Sequence, residues 1–286
     1  KAMEKLETEL LSGIRGSKRL YVSARAIDLG EGSVLLIIDD KTEAQRLDET
    51  RRDFVANISH ELKTPVGAIG LLAEAIEANP KDAAMVGKLS ANVVKESKRL
   101  SALVKDIIQL SRIQAADSAM NSELIELEPV VRDAIDRNAF KAERRKVTID
   151  YQGEKGVRVF GDEEMLAVAF KNIIENAIVY SAEGSKVGVA LTKDGGVAEV
   201  IISDSGVGIS KEDQKRIFER FYRTDPARSR QTGGTGLGLS IVKHVIESHL
   251  GEIKLFSKPG VGSTFTLRLP VADRKLVTKK KKVTDG

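Results

Sequence analysis

Apolar positions recur at helical spacing over residues 54–78, where Ile58, Leu62, Ile69, Leu72 and Ile76 fall on one stripe. A second helix is predicted over 82–115, carrying Leu89, Val93, Leu100, Leu103, Ile107 and Leu110. Asn79-Pro80 breaks the pattern between them. Two amphipathic helices on a short turn form an antiparallel hairpin, and one hairpin leaves its apolar seam open. A dimeric four-helix bundle closes that seam. Residues 41–53 read as a charged helical connector into the hairpin, and residues 1–16 also read as helical. Between them, 18–28 and 33–39 read as two strands around Gly30-Glu31-Gly32. Two strands in about 40 residues cannot bury a core of their own.

From Leu124 the pattern alternates between the two periods. Strands are predicted at 147–151, 157–160, 186–192, 197–203, 252–257 and 263–269, and helices at 128–145, 162–179, 211–221 and 237–250. Short turns such as Asp194-Gly195-Gly196 point to a mixed or antiparallel sheet, and helices on one face make an α+β sandwich. The 286 residues suggest two domains or slightly more at about 100–200 residues each.

Composition changes this picture little. The chain has no Cys, which excludes disulfides, thiolate metal sites and a Cys nucleophile. The net charge of +4 resides in 273–286, with its run of four lysines, while the rest balances. That tail reads as solvated and disordered, and a nucleic-acid module has only the tail to rest on. The longest apolar run, 34–38, is far short of the ~20 residues of a membrane span. No signal peptide is visible and the chain begins at Lys1, so it reads as a soluble piece of a longer protein.

His60 lies about 200° around its helix from Ile58, opposite the apolar stripe. Its imidazole is therefore available for chemistry, with Glu61 adjacent and Thr64 one turn on. A carboxylate that takes the proton from one ring nitrogen leaves the other more nucleophilic. Pro65 should bend the helix just beyond. By position alone, a surface histidine on a charged helix is the simpler reading.

Four C-terminal segments carry candidate chemistry. Asn172 and Asn176, at i and i+4, can offer amide oxygens to Mg²⁺, although paired helical asparagines are commonly surface residues or caps. Asp204-Ser205-Gly206-Val207-Gly208 follows a strand, where a carboxylate can accept from an adenine amine, or simply make an Asp-Gly turn. Gly233-Gly234-Thr235-Gly236-Leu237-Gly238-Leu239 opens a helix, as phosphate-binding backbone does. It follows no strand and lacks Gly-Lys-Ser/Thr, so neither the dinucleotide fingerprint nor the P-loop fits. Gly262-Ser263-Thr264-Phe265 enters the last strand, and the aromatics of 217–223 can be core. His244 and His249 lack metalloprotease spacing and read as solvated or capping.

Residues 54–66, Phe-Val-Ala-Asn-Ile-Ser-His-Glu-Leu-Lys-Thr-Pro-Val, closely resemble the phospho-acceptor box of sensor histidine kinases. The C-terminal segments resemble that family's N, G1, F, G2 and G3 boxes, in order, so the resemblance covers roughly 40–270. It implies a Bergerat (GHKL-type) fold for the ATP-binding domain. His60 would take the γ-phosphoryl of ATP, Glu61 would act as base, and Thr64 would assist removal of phosphate from a response regulator. Asp204, Gly206 and Gly208 would bind adenine, and Asn172 and Asn176 would hold Mg²⁺. Tyr180, Arg223, Gly234, Gly236, Leu237, Gly238 and Thr264 would complete the ATP site under a lid at 224–235.

Val179 stands where many relatives carry Lys or Arg, and Arg223, Lys171, Arg228 and Arg230 are the candidates to compensate. The strands at 18–39 with Asp39-Asp40-Lys41-Thr42-Glu43 look like the end of a PAS sensor domain. The string including Arg51-Arg52-Asp53-Phe54 is most similar to actinobacterial phosphate-responsive kinases. The implied layout is a PAS-like remnant (1–40), linker (41–53), dimerisation and phosphotransfer domain (54–117), catalytic ATP-binding domain (118–272) and basic tail (273–286). The implied whole is a homodimeric sensor, anchored upstream in a bacterial membrane with this part cytoplasmic, that phosphorylates a response regulator and acts on no nucleic acid. The alternative is a GHKL-type ATPase or ATP-binding scaffold without phosphotransfer. Asn172 stands where such an ATPase carries its catalytic Glu, which favours the kinase.

Overall fold

The computed structural model describes residues 6–15, 18–30, 32–116, 123–224 and 234–272. The chain forms two compact units, residues 1–67 and 68–286.

In the first unit β1 (Leu6–Arg15), β2 (Lys18–Gly30) and β3 (Ser33–Asp40) form an antiparallel sheet in that order. β1 corrects the helix expected over 1–16. Its glutamates and leucines suit a helix locally, but pairing along β2 overrides that weak preference. β3 exposes Val34, Leu36 and Ile38 as well as Leu35 and Ile37, so both of its faces meet solvent in this unit. Helix α1 (Thr42–Ala78) starts against this sheet. The Asp40 carboxylate accepts from Thr42 N at 2.8 Å, and those Thr42 hydrogen bonds hold its pKa below the usual range. Tyr21 N donates to the buried Thr42 hydroxyl at 2.9 Å, and Tyr21 OH to Glu49 Oε1 at 2.9 Å. The expected connector and first hairpin helix are thus one helix, continuous through Pro65.

In the second unit the end of α1 leads through the turn 79–82 into α2 (Ala83–Ala116), whose first turn is capped by Asp82 Oδ1 accepting from Met85 N at 2.9 Å. Beyond 117–122, β4 (Glu123–Glu126) pairs antiparallel with β6 (Arg158–Gly161). This short strand escaped the sequence reading. The predicted 128–145 helix is two, α3 (Leu127–Asp136) and α4 (Ala139–Arg144). At the break, buried Asn138 donates to Ala134 O at 2.9 Å and Lys171 O at 3.2 Å.

The main sheet has five strands in the order β5 (Thr148–Gly153), β7 (Lys186–Asp194), β8 (Val197–Asp204), β10 (Gly262–Pro270), β9 (Glu252–Lys258). Only β5–β7 is parallel. Alternate residues, such as Val187, Val189 and Leu191 of β7 and Ala198, Val200 and Ile202 of β8, are buried against helices. Those helices are α5 (Glu163–Tyr180) and, following the four-residue α6 (Lys211–Gln214), α7 (Gly238–Ser248), with α3 packed on α5. α5 contributes Phe170, Ile173, Ile174 and Ile178, all fully buried, and α7 contributes Ile241, Val242, Val245 and Ile246. This is the expected α+β sandwich. The helix expected over 211–221 shrinks to α6: beyond it the backbone runs through tighter turns, with Arg216 N donating to Asp213 O at 2.8 Å and Glu219 N to Arg216 O at 2.7 Å, and Phe221 takes a left-handed φ of 63°. No helix among the described residues is long and apolar enough to cross a membrane.

Candidate functional site

A cavity of about 320 Å³ opens in the second unit, between α5, the end of β8, the turn after α6, the start of α7 and one side of α2. That volume lies within the range of small-molecule sites, about 300–1,000 Å³. Asn172, Asn176 and Tyr180 share the face of α5 opposite its buried stripe, and all three line the cavity. Asp204, Gly208, Arg223, Gly234, Gly236 and Gly238 join them. The lining runs from Ala102 to Phe265, so residues up to 163 positions apart are collected at one place.

At one end stands Asp204, the last residue of β8. Its Oδ1 accepts from Gly206 N at 2.8 Å. Burial pushes its pKa up, against the lowering effect of hydrogen bonds from the Gly206 and Ser263 backbone. Gly206 lies behind the carboxylate rather than in the lining. A Cβ there would stand 2.5 Å from Tyr180 O and 2.8 Å from Asp204 Oδ1. Thr264 also lies outside the lining, its hydroxyl 3.0 Å from Ser203 Oγ. Its neighbour Ser263, opposite Asp204 in the sheet register, lines the cavity instead.

At the other end the loop before α7 meets α5. Phe221 N donates to Gly236 O at 2.9 Å. Gly236 has φ +77°, and a Cβ there would stand 2.8 Å from the Phe221 backbone, so only glycine lets the two turns meet. Leu237 is fully buried and positions the first turn of α7 without lining the cavity. Tyr222, beside Arg223, is held by its hydroxyl donating to Asp213 Oδ1 at 2.6 Å and by Arg216 stacked 4.2 Å above its ring. Lys171 and Glu175 flank Asn172 and Asn176. Burial works to raise the Glu175 pKa, but Lys141 and Lys171 outweigh it and the net effect is a lowering.

Of the candidates to compensate for Val179, Arg223 and Lys171 are in the lining, while Arg228, Arg230, Gly233 and most of the expected lid lie outside the described residues. Lys105, Asp106 and Gln109 of α2 also line the cavity, and sequence reading missed them. Nothing local marks them, since Asp106 meets Thr235 across 129 positions.

Among the described residues no three His, Cys, Asp or Glu side chains cluster to hold a metal. The amide oxygens of Asn172 and Asn176 are hard donors, too few for a cage. This set fits a cation that keeps waters and takes its remaining ligands from phosphates, as Mg²⁺ does.

The first unit carries the other candidates. His60 and Thr64 are exposed on α1, and Glu61 is half-buried. The Thr64 hydroxyl donates to the His60 carbonyl at 3.3 Å, leaving the imidazole to solvent. The two remaining histidines lie on or beside α7. His249 is buried, not solvated. Its Nε2 accepts from Asp162 N at 2.9 Å, and its Nδ1 faces Val245 O at 2.7 Å as the donor. It ties the end of α7 to the cap of α5.

Fold and cavity define an ATPase-type sandwich that follows a helical hairpin. Residues 161–273 match the model of histidine kinase-, DNA gyrase B- and HSP90-like ATPases, and residues 50–116 that of the His Kinase A (phospho-acceptor) domain. The chain belongs to the sensor histidine kinases. It is 45% identical over 257 residues to the sensor-like histidine kinase SenX3 of Mycolicibacterium smegmatis, covering 90% of this chain and 66% of that protein. It is 32% identical over 262 residues to the phosphate regulon sensor protein PhoR of Pseudomonas aeruginosa, covering 87% of this chain and 57% of that one. The chain thus spans two thirds or less of the length of these relatives. A solved structure of histidine kinase ThkA in complex with response regulator protein TrrA shares the fold, with TM-score 0.62, 20% identity, and coverage of 93% of this chain and 79% of that one.

Proposed function

We propose that this chain is the kinase core of a phosphate-responsive type of sensor. It binds Mg-ATP, phosphorylates His60, passes the phosphoryl group to an Asp of a response regulator, and assists its later hydrolysis. The observation that carries this reading is the pairing, in one chain, of the exposed His60 beside Glu61 within the phospho-acceptor match and the cavity of Asn172, Asn176 and Asp204 within the ATPase match.

In the reaction a ring nitrogen of His60 attacks the γ-phosphorus, the bond to the β–γ bridging oxygen breaks, and ADP leaves. Glu61 takes the proton from the other ring nitrogen as positive charge develops there. Asp204 orients adenine, with Gly208 and Ser263 beside it. Asn172 and Asn176 would hold the Mg²⁺, which would supply positive charge to offset that of the phosphates. The α7 N-terminus, with Gly238, and Arg223 face the phosphates. Thr64, one turn from His60, positions water for dephosphorylation of the regulator. For that its hydroxyl must turn away from the His60 carbonyl.

The functional unit is a homodimer. α1 and α2 leave Val66, Leu71, Val94, Val104 and Ile108 exposed in a single chain, and a second copy supplies the cover. The boundaries at 40, 53, 117 and 272 mark sensor remnant, linker, acceptor hairpin, catalytic domain and tail. The rest of the sensor, with its membrane anchor, lies upstream, which makes this the cytoplasmic portion. The test is to load the protein with γ-labelled ATP, remove the nucleotide, and add a receiver domain. The label should move to an alkali-labile acyl phosphate. Phosphate release without labelled protein would identify the ATPase alternative, and nucleotide binding with neither would identify the scaffold.

A further inference from the structure

We propose that Asp106 is an internal anion that latches the phosphate end of the cavity to α2 through Thr235, and that the phosphates of an incoming nucleotide must displace it. The inference rests on the nucleotide reading of the cavity and assigns a regulatory residue to that site.

Asp106 Oδ2 accepts a 2.6 Å hydrogen bond from the Thr235 hydroxyl, and Thr235 is 8% exposed. Thr235 lies in the glycine loop that leads into α7, and its oxygen also accepts from Leu237 N at 3.3 Å. Burial pushes the Asp106 pKa up and Glu175 adds to that, while the Thr235 hydrogen bond, Lys171 and Lys105 favour the carboxylate; the three charged neighbours line the same cavity. A half-buried carboxylate therefore stands where two lysines and a loop hydroxyl converge, at the mouth of a helix N-terminus. These are the groups that a phosphate seeks. A polyphosphate entering there meets a like charge and competes for the same hydroxyl and lysines.

α5 and α7 are fixed by their buried stripes, and α2, whose Leu103 and Leu110 are buried, packs on α7 as well as meeting the glycine loop through this polar contact. The latch is one polar contact beside that packing and can break while the apolar contacts stay. It has two states with a simple consequence. Nucleotide affinity falls by the fraction of time the latch is open, and nucleotide opens it by the same factor. Because Asp106 belongs to the helix that follows the acceptor segment, an occupied cavity frees its carboxylate from the glycine loop and an empty one holds it there.

Calorimetry on the whole chain tests this, with Mg²⁺ plus a non-hydrolysable ATP analogue, and with adenosine alone. Asp106→Ala should tighten the triphosphate about tenfold, the value for a latch closed nine-tenths of the time. Adenosine, which carries no phosphate, should bind as in the wild type. Asp106→Asn keeps an oxygen for Thr235 but loses the charge. It should tighten the triphosphate by a smaller factor, and it serves if the alanine variant fails to fold. Unchanged or weaker triphosphate binding in a folded variant overturns the latch, and so does equal tightening of both ligands. If neither wild type nor variant binds either ligand, the nucleotide reading itself fails and the latch with it.

Discussion

The helix that carries His60 and the helix that carries Asn172 and Asn176 solve opposite problems. α5 is locked by Phe170, Ile173, Ile174 and Ile178, none of them exposed, and its asparagines face the cavity from a fixed support. α1 presents His60 and Thr64 to solvent, and its stripe of Ile58, Leu62, Ile69, Leu72 and Ile76 is only half-buried in a single chain. A nucleotide site gains from groups held still before the ligand arrives. An acceptor that must meet ATP and then a second protein has to stay reachable. On the proposed reading, rigidity is supplied where charge is aligned, and exposure where the phosphoryl group would change hands.

The largest effect should come from breaking the rigid side. Phe170→Ala removes a fully buried ring and should cost about 3–5 kcal/mol of catalytic-domain stability, read by denaturant unfolding. Ile58→Ala, on the half-buried stripe, should cost far less in the same measurement. Similar losses would erase the contrast.

Next comes the open side. Replacing Leu72 and Ile76 together by Asp places charge in the proposed seam and should cost several kcal/mol of association. Light scattering should then show monomers with nucleotide binding intact, and a monodisperse dimer would refute that interface.

Asp204→Asn should weaken ATP by about 10- to 150-fold, the equivalent of about 1.5–3 kcal/mol for a hydrogen bond to a charged group. It should also erode the preference for ATP over GTP, because an amide can donate to the guanine carbonyl. Stability should move the other way. Burial raises the Asp204 pKa above its unfolded value, so this group favours the fold only while protonated, and that contribution is lost as pH rises through the raised value. The empty variant should melt no lower than wild type at neutral pH, and any gain should vanish in acid. A lower melting temperature at neutral pH would show that the charge supports the fold.

The smallest structural effect belongs to Thr64→Ala, on an exposed helix position, with stability within about 0.5 kcal/mol of wild type. Autophosphorylation should persist while dephosphorylation of the regulator slows. Equal loss of both would make Thr64 merely structural.

The features legible in the sequence were those with a local signature. The stripe of α5 and its two asparagines, the strand-end Asp204 and the glycine loop are each defined by spacing within a few turns. β1 was illegible because its local preference is helical and only pairing with β2 makes it a strand. The segment after α6 runs in turns, and its fixed end at Phe221 is set by a contact with Gly236, between two turns separated in sequence. Asp106 was missed for the same reason, and the capping role read for His249 came without its partner. Each acts through one hydrogen bond to a residue 129 and 87 positions away, and no periodicity encodes such a partner.

The most direct test of the whole account compares wild type with His60→Gln after incubation with γ-labelled ATP. Wild type should gain a label that is lost in acid and survives alkali, as a phosphoramidate does. His60→Gln should gain none, while calorimetry shows its nucleotide affinity unchanged. A label that persists on His60→Gln, or a wild-type label that survives acid, would contradict the assignment.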